Sequence, residues 1–147
     1  MAPPGATETA GGGRDAAWIA YVLHAVGYLS AMMWPALIGL VLNYVKRGDG
    51  RGGFVDSHHE WLIRTFWFGL LWYLLSVGAL LWSAWPVVQS VLRSASAPGA
   101  FVLDWETIFT VIGAAALGCF GLFLTWLWLL YRVIRGVIGL ANAKPMP

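Results

Sequence analysis

Long apolar runs broken by short polar stretches set the pattern of this chain. The runs fall at Trp18 to Val45, His59 to Trp82 and Trp105 to Ile134. Each exceeds the roughly 20 residues that a helix needs to cross a hydrocarbon core of about 30 Å. The pattern therefore predicts an all-α fold, an integral membrane bundle of three transmembrane helices over 18–45, 59–82 and 105–134, within a membrane domain of 18–135. The first seventeen residues, MAPPGATETAGGGRDAA, carry no basic cluster and read as a disordered tail, not a secretory leader. Residues 136–147 read as a C-terminal tail.

Within the first run, Pro35 predicts a kink, which neighbouring helices tolerate in a membrane. His24, Gly27, Ala31, Pro35, Gly39 and Asn43 recur at steps of three or four, so they form one stripe, expected to be the packing face. The loop Lys46 to Gly53, KRGDGRGG, is short, interfacial and cytoplasmic on this reading. Asp56 and Ser57 are good helix N-caps, and Ser57 with Glu60 fits a capping box that would start the second span near His58. Pro86 is expected to bend or end that span, with a surface turn over Val87 to Leu92 and a loop over Ser94 to Ala100. Asp104 and Glu106 suit the N-terminus of the third span. There Gly113, Ala114, Gly118 and Gly121 supply another small-residue face.

Composition agrees with a membrane class. Hydrophobic residues make up 59% and charged residues 11%, against about 25% charged in a soluble domain. Ten tryptophans suit the two interfaces of a bilayer. A net charge of +2 gives no basis for binding nucleic acid, and the single Cys119 excludes an internal disulfide. Lys46, Arg47, Arg51, Arg64, Arg132, Arg135 and Lys144 would share one side of a three-span protein, against Arg14 and Arg93 on the other. The bias toward cytoplasmic Lys and Arg then sets the N-terminus outside and the C-terminus in the cytoplasm.

The strongly polar residues inside this apolar frame are few. His58, His59, Glu60 and Arg64 form an interfacial polar cluster at the entrance of the second span. Adjacent helical residues point about 100° apart, so His58 and His59 are ill placed to ligate one metal or one haem. His24 lies at the far end of the first span from them on this reading. Glu60 and Arg64 have the four-residue spacing of a helical ion pair, and Arg64 can extend back to the surface. His24 and Asn43 are candidate helix-packing residues that hydrogen-bond between helices. No nucleophile–base set, paired carboxylates, phosphate-binding glycine loop or zinc spacing is present, so no catalytic, cofactor or metal residues are assigned and no enzyme is expected.

The run from Pro35 to Val45, the loop Lys46 to Gly53, and then His59, Thr65 and Phe66 together resemble a family of small bacterial membrane proteins with three or four spans. That family is distantly similar to the Tic-type import component of the chloroplast inner envelope. Its pattern has a histidine followed six and seven residues later by Asn and Phe; Thr65 stands here in place of the Asn. The likeness covers Tyr21 to Trp72 and a generic last span. It implies a multi-pass protein of the bacterial inner (plasma) membrane, and a translocation role only through the distant branch. The expected function is a non-catalytic accessory or assembly partner of a membrane complex. Its partners would be membrane lipids and either another membrane protein or further copies of itself. Alternatives are a translocation or permeation module, and a lipid- or pH-responsive membrane regulator built on His58, His59 and Arg64.

Overall fold

A computed structural model describes residues 6–30, 32–47, 53–96 and 105–147. Among them are four helices: α1 (Ala6–Leu29), α2 (Met33–Lys46), α3 (Phe54–Ser96) and α4 (Trp105–Ala141). The all-α expectation holds. The count of spans does not, because two helices, α3 and α4, are long and apolar enough to cross a membrane. A core helix of a soluble domain with such hydropathy would be mostly buried, whereas the apolar windows of these two are 22% and 6% buried.

The first predicted span is folded in half. α1 ends at Leu29, Met32 is extended with ψ 111°, and α2 starts at Met33. Pro35 therefore lies in the first turn of a new helix. A missing N–H costs nothing there, since the first four N–H groups of a helix have no internal partner. A Cβ on Gly27 would sit 2.9 Å from the Ala36 backbone nitrogen, and one on Gly39 would sit 2.6 Å from His24 Nδ1. These crossed pairings make α1 and α2 an antiparallel hairpin. The packing stripe is real, but its two halves face each other. With 14 residues, α2 is about 21 Å long, short of a bilayer core.

Three other boundaries differ from expectation. Residues 6–17, read as tail, are helical, and Ala16 and Ala17 are buried. Arg14 Nη2 donates to the Leu140 carbonyl at 3.5 Å, so the start of α1 lies with the end of α4. That contact, with two long apolar helices in place of three, removes the ground for setting the termini on opposite sides. α3 begins at Phe54, and the Ser57 hydroxyl donates to the Phe54 carbonyl at 2.6 Å within the first turn, so Ser57 is no N-cap. α3 also continues through Pro86, with no surface turn over Val87 to Leu92.

α4 runs past Arg135 to Ala141, because Val133 and Leu140 bury on its inner face. It closes with Ala143 N–H donating to Leu140 and Lys144 N–H to Gly139, with Ala143 at φ 51°. This is the Schellman closure, with alanine where glycine is usual. The supposed tail thus turns back, and Met146 N–H donates to the Ser57 hydroxyl at 2.9 Å. Residues 1–5 of the predicted tail, Ala31 of the stripe, 48–52 of the first loop, 97–100 of the second and Asp104 lie outside the described residues.

The chain divides into two compact units. Unit 1 holds Met1–Gly69 and Trp126–Pro147, that is α1, α2, the start of α3 and the end of α4. Unit 2, Leu70–Thr125, holds the remainder of α3 and α4. In unit 2 these helices pack through small residues: a Cβ on Gly118 would meet Leu80, and one on Gly121 would meet the Ser76 hydroxyl. The small-residue face expected on the last span is therefore partly occupied within the chain.

Candidate functional site

Unit 1 buries a set of polar side chains beside its apolar core and exposes many large apolar ones. Its fully buried side chains include Tyr21, His24, Asn43, His58, His59 and Thr65, while Ile19, Val22, Leu37, Ile38, Val41 and Val45 are exposed. Water-soluble domains bury the second set and expose the first. Polar residues inside and apolar residues outside is the arrangement expected where the surroundings are themselves apolar.

Helical spacing explains how α1 contributes. Tyr21, His24 and Tyr28 follow at steps of three and four, on the face turned to the rest of unit 1. The Tyr21 hydroxyl lies 2.8 Å from His58 Nδ1, and His58 Nε2 lies 3.0 Å from the Lys144 carbonyl. A carbonyl only accepts, so Nε2 carries the hydrogen; in the neutral ring Nδ1 then accepts from Tyr21. The Schellman closure of α4 presents that carbonyl, so the end of the chain fixes the tautomer of a histidine near the start of α3. Gly136 makes room for Tyr21: a Cβ there would overlap its hydroxyl and lie 2.6 Å from Cζ.

The neighbouring histidine faces α2. His59 Nδ1 is 2.8 Å from Asn43 Oδ1, which accepts its hydrogen. His24 Nδ1 donates to the Ala20 carbonyl at 2.8 Å, and its ring stands edge-on to Tyr28 and Phe66. His24 Nε2, Tyr28 Oη and Asn43 Nδ2 are buried with no hydrogen-bond partner among the described residues. The hairpin thus corrects the placing of His24 a bilayer away from the histidine pair. It lies beside Phe66, two turns along α3 from His59, and against Gly39, one turn from Asn43.

The four-residue cluster does not act as one group. His58 turns to α1 and α4, His59 turns to α2, and Glu60 and Arg64 stay at the surface. Glu60 Oε1 is 3.0 Å from Arg47 Nη2 and its Oε2 is 3.6 Å from Arg64 Nη2, so the expected pair is a shared one. Beside it lies a second polar construction absent from the sequence reading. Arg132 Nε donates to the Thr65 hydroxyl at 2.8 Å, which donates onward to the Trp61 carbonyl at 2.7 Å. The Arg132 guanidinium lies 3.6 Å from the Trp61 ring centroid, and Trp61 Nε1 donates back to the Arg132 carbonyl at 3.2 Å. A cation over an indole face contributes about 0.5–2 kcal/mol, more as water is excluded. The sequence signal for it is Arg132 beside a tryptophan-rich run, a residue that the charge count alone uses for orientation.

Chemically this interior orders buried donors and acceptors, among them the Tyr21 hydroxyl on His58 and the Asn43 amide on His59. Among the described residues no three His, Cys, Asp or Glu side chains are grouped to hold a metal. No protein-family model, curated protein or solved structure matches this chain.

Proposed function

We propose that the protein is a non-catalytic integral membrane protein of the bacterial inner membrane that serves as an accessory subunit of a larger membrane assembly. α3 and α4 cross the bilayer, and the α1–α2 hairpin enters it from one side without crossing. Arg14, Lys46, Arg47, Arg64, Arg132, Arg135 and Lys144 belong to unit 1 and Arg93 to unit 2. This bias supports a cytoplasmic unit 1 end carrying both termini. The observation that carries the accessory role is in unit 2. Gly78, Leu81, Trp82 and Trp85 line an open apolar cleft of about 450 Å³, and nothing lies within 4 Å of a Cβ built on Gly78. A glycine notch between large apolar side chains suits the ridge of a transmembrane helix from a partner subunit. Affinity purification from native membranes in mild detergent, followed by native mass spectrometry, should show a reproducible partner that Gly78→Leu removes. A lone monomer from both proteins would sink the reading.

A second reading, a permeation module, is favoured by one observation: the unpartnered His24 Nε2, Tyr28 Oη and Asn43 Nδ2 inside an apolar exterior. Ionisable and polar groups facing the interior of a membrane bundle often mark a hydrated path. Single cysteines placed from His24 to Asn43 should then react with a water-soluble reagent. Uniform protection would exclude the path.

A further inference from the structure

Unit 1 gathers two pairs of arginines, Arg47 and Arg64 on the Glu60 carboxylate and Arg132 and Arg135 about the Trp61 indole. Arg47 and Arg64 share Glu60, at 3.0 and 3.6 Å. Arg132 is within Coulombic reach of Arg64 and Arg135. Among the described residues, neither Arg132 nor Arg135 has a carboxylate within 4.0 Å. Like charges gathered this way repel, so the arrangement favours an anion that bridges them.

Arg132 is built to hold one. Its Nε is committed to Thr65 and its plane is fixed on Trp61, which leaves the two terminal nitrogens as a preset fork. Arg135 comes within 5.7 Å of the same indole and is steadied by the Tyr131 hydroxyl at 3.3 Å. Planar guanidinium forks match phosphate oxygens two at a time, which a free ammonium cannot do. The surroundings decide between soluble and lipid phosphate. Trp67 and Phe68 follow Arg64 by a turn, and Leu127 and Tyr131 precede Arg132, all exposed. Arginines at a helix end with exposed apolar side chains a turn deeper suit a headgroup with acyl chains lying alongside.

We propose that Arg132, Arg135 and Arg64, with Trp61 as the platform, bind the phosphate of an anionic phospholipid headgroup at the cytoplasmic surface. This rests on the membrane reading above. The test is native mass spectrometry of the full chain in non-ionic detergent with phosphatidylglycerol or phosphatidylcholine of equal chain length. Phosphatidylglycerol should be retained in preference. Arg135→Gln, at an exposed position, should weaken its retention about fivefold, Arg132→Gln at least as much, and Arg93→Gln not at all. Equal retention of both lipids, or an Arg135→Gln protein that matches wild type, overturns the site. Displacement of the lipid by millimolar inorganic phosphate would assign a soluble ligand and overturn the lipid. A chain that stays soluble without detergent would instead refute the membrane reading, so the two failures are distinct.

Discussion

Units 1 and 2 share two helices and are held together by different means. Unit 1 is tied by hydrogen bonds between residues far apart in sequence: Tyr21 to His58, His58 to the Lys144 carbonyl, His59 to Asn43, and Arg132 to Thr65. In unit 2, Ser83, Ser90, Arg93, Thr110 and Thr125 bond three or four residues back along their own helix. Its helices meet through Gly118 and Gly121. Where the surroundings are apolar, burying leucine gains little, and specificity must come from close packing or from polar pairs. One chain uses both solutions, and the comparison teaches where each can be broken.

The largest effect should come from Gly136→Ala. The new Cβ meets the buried Tyr21 ring, which is anchored to His58 and cannot step aside. A loss of about 3 kcal/mol, at the upper end for overpacking, should lower the unfolding midpoint in detergent steeply. Gly78→Ala in unit 2, with open space around it, should leave the midpoint within about 0.5 kcal/mol of wild type. Equal effects would erase the distinction between the units.

Tyr21→Phe removes the hydroxyl donated to His58 Nδ1 and leaves a buried acceptor unpaired, at a cost of about 1–3 kcal/mol. Ser83→Ala, whose bond returns to Leu80, should cost less than about 0.5 kcal/mol. A double-mutant cycle on Asn43→Leu and His59→Leu should give a coupling of about 0.5–3 kcal/mol; additivity would mean that the pair does not bind in solution. Ala143→Gly should stabilise unit 1 by about 1 kcal/mol, since it relieves an alanine from left-handed backbone. A small effect is also expected of Arg64→Gln. Its bridge to Glu60 is long and exposed, and a change above about 1 kcal/mol in chemical denaturation would show that it is more than a surface pair.

The sequence by itself determined the helical class and the two long apolar helices. It also placed the packing stripe, the four-residue spacing of Glu60 and Arg64, and the divergence of His58 from His59. Each of these is local, set by hydropathy and by 3.6-residue periodicity. The hairpin was decided by tertiary structure. Pro35 is equally compatible with a kink and with a first turn, and Gly27 against Ala36 selects the second. Burial also turned residues 6–17 and 136–141 from tail into helix, through Ala17 and Leu140, whose apolar content is too small to register in a span-length window. The polar interior was beyond sequence for the same reason. Tyr21, His58 and the Lys144 carbonyl are separated by 37 and 86 residues, and only the folding of the hairpin and the closure of α4 bring them within hydrogen-bond distance.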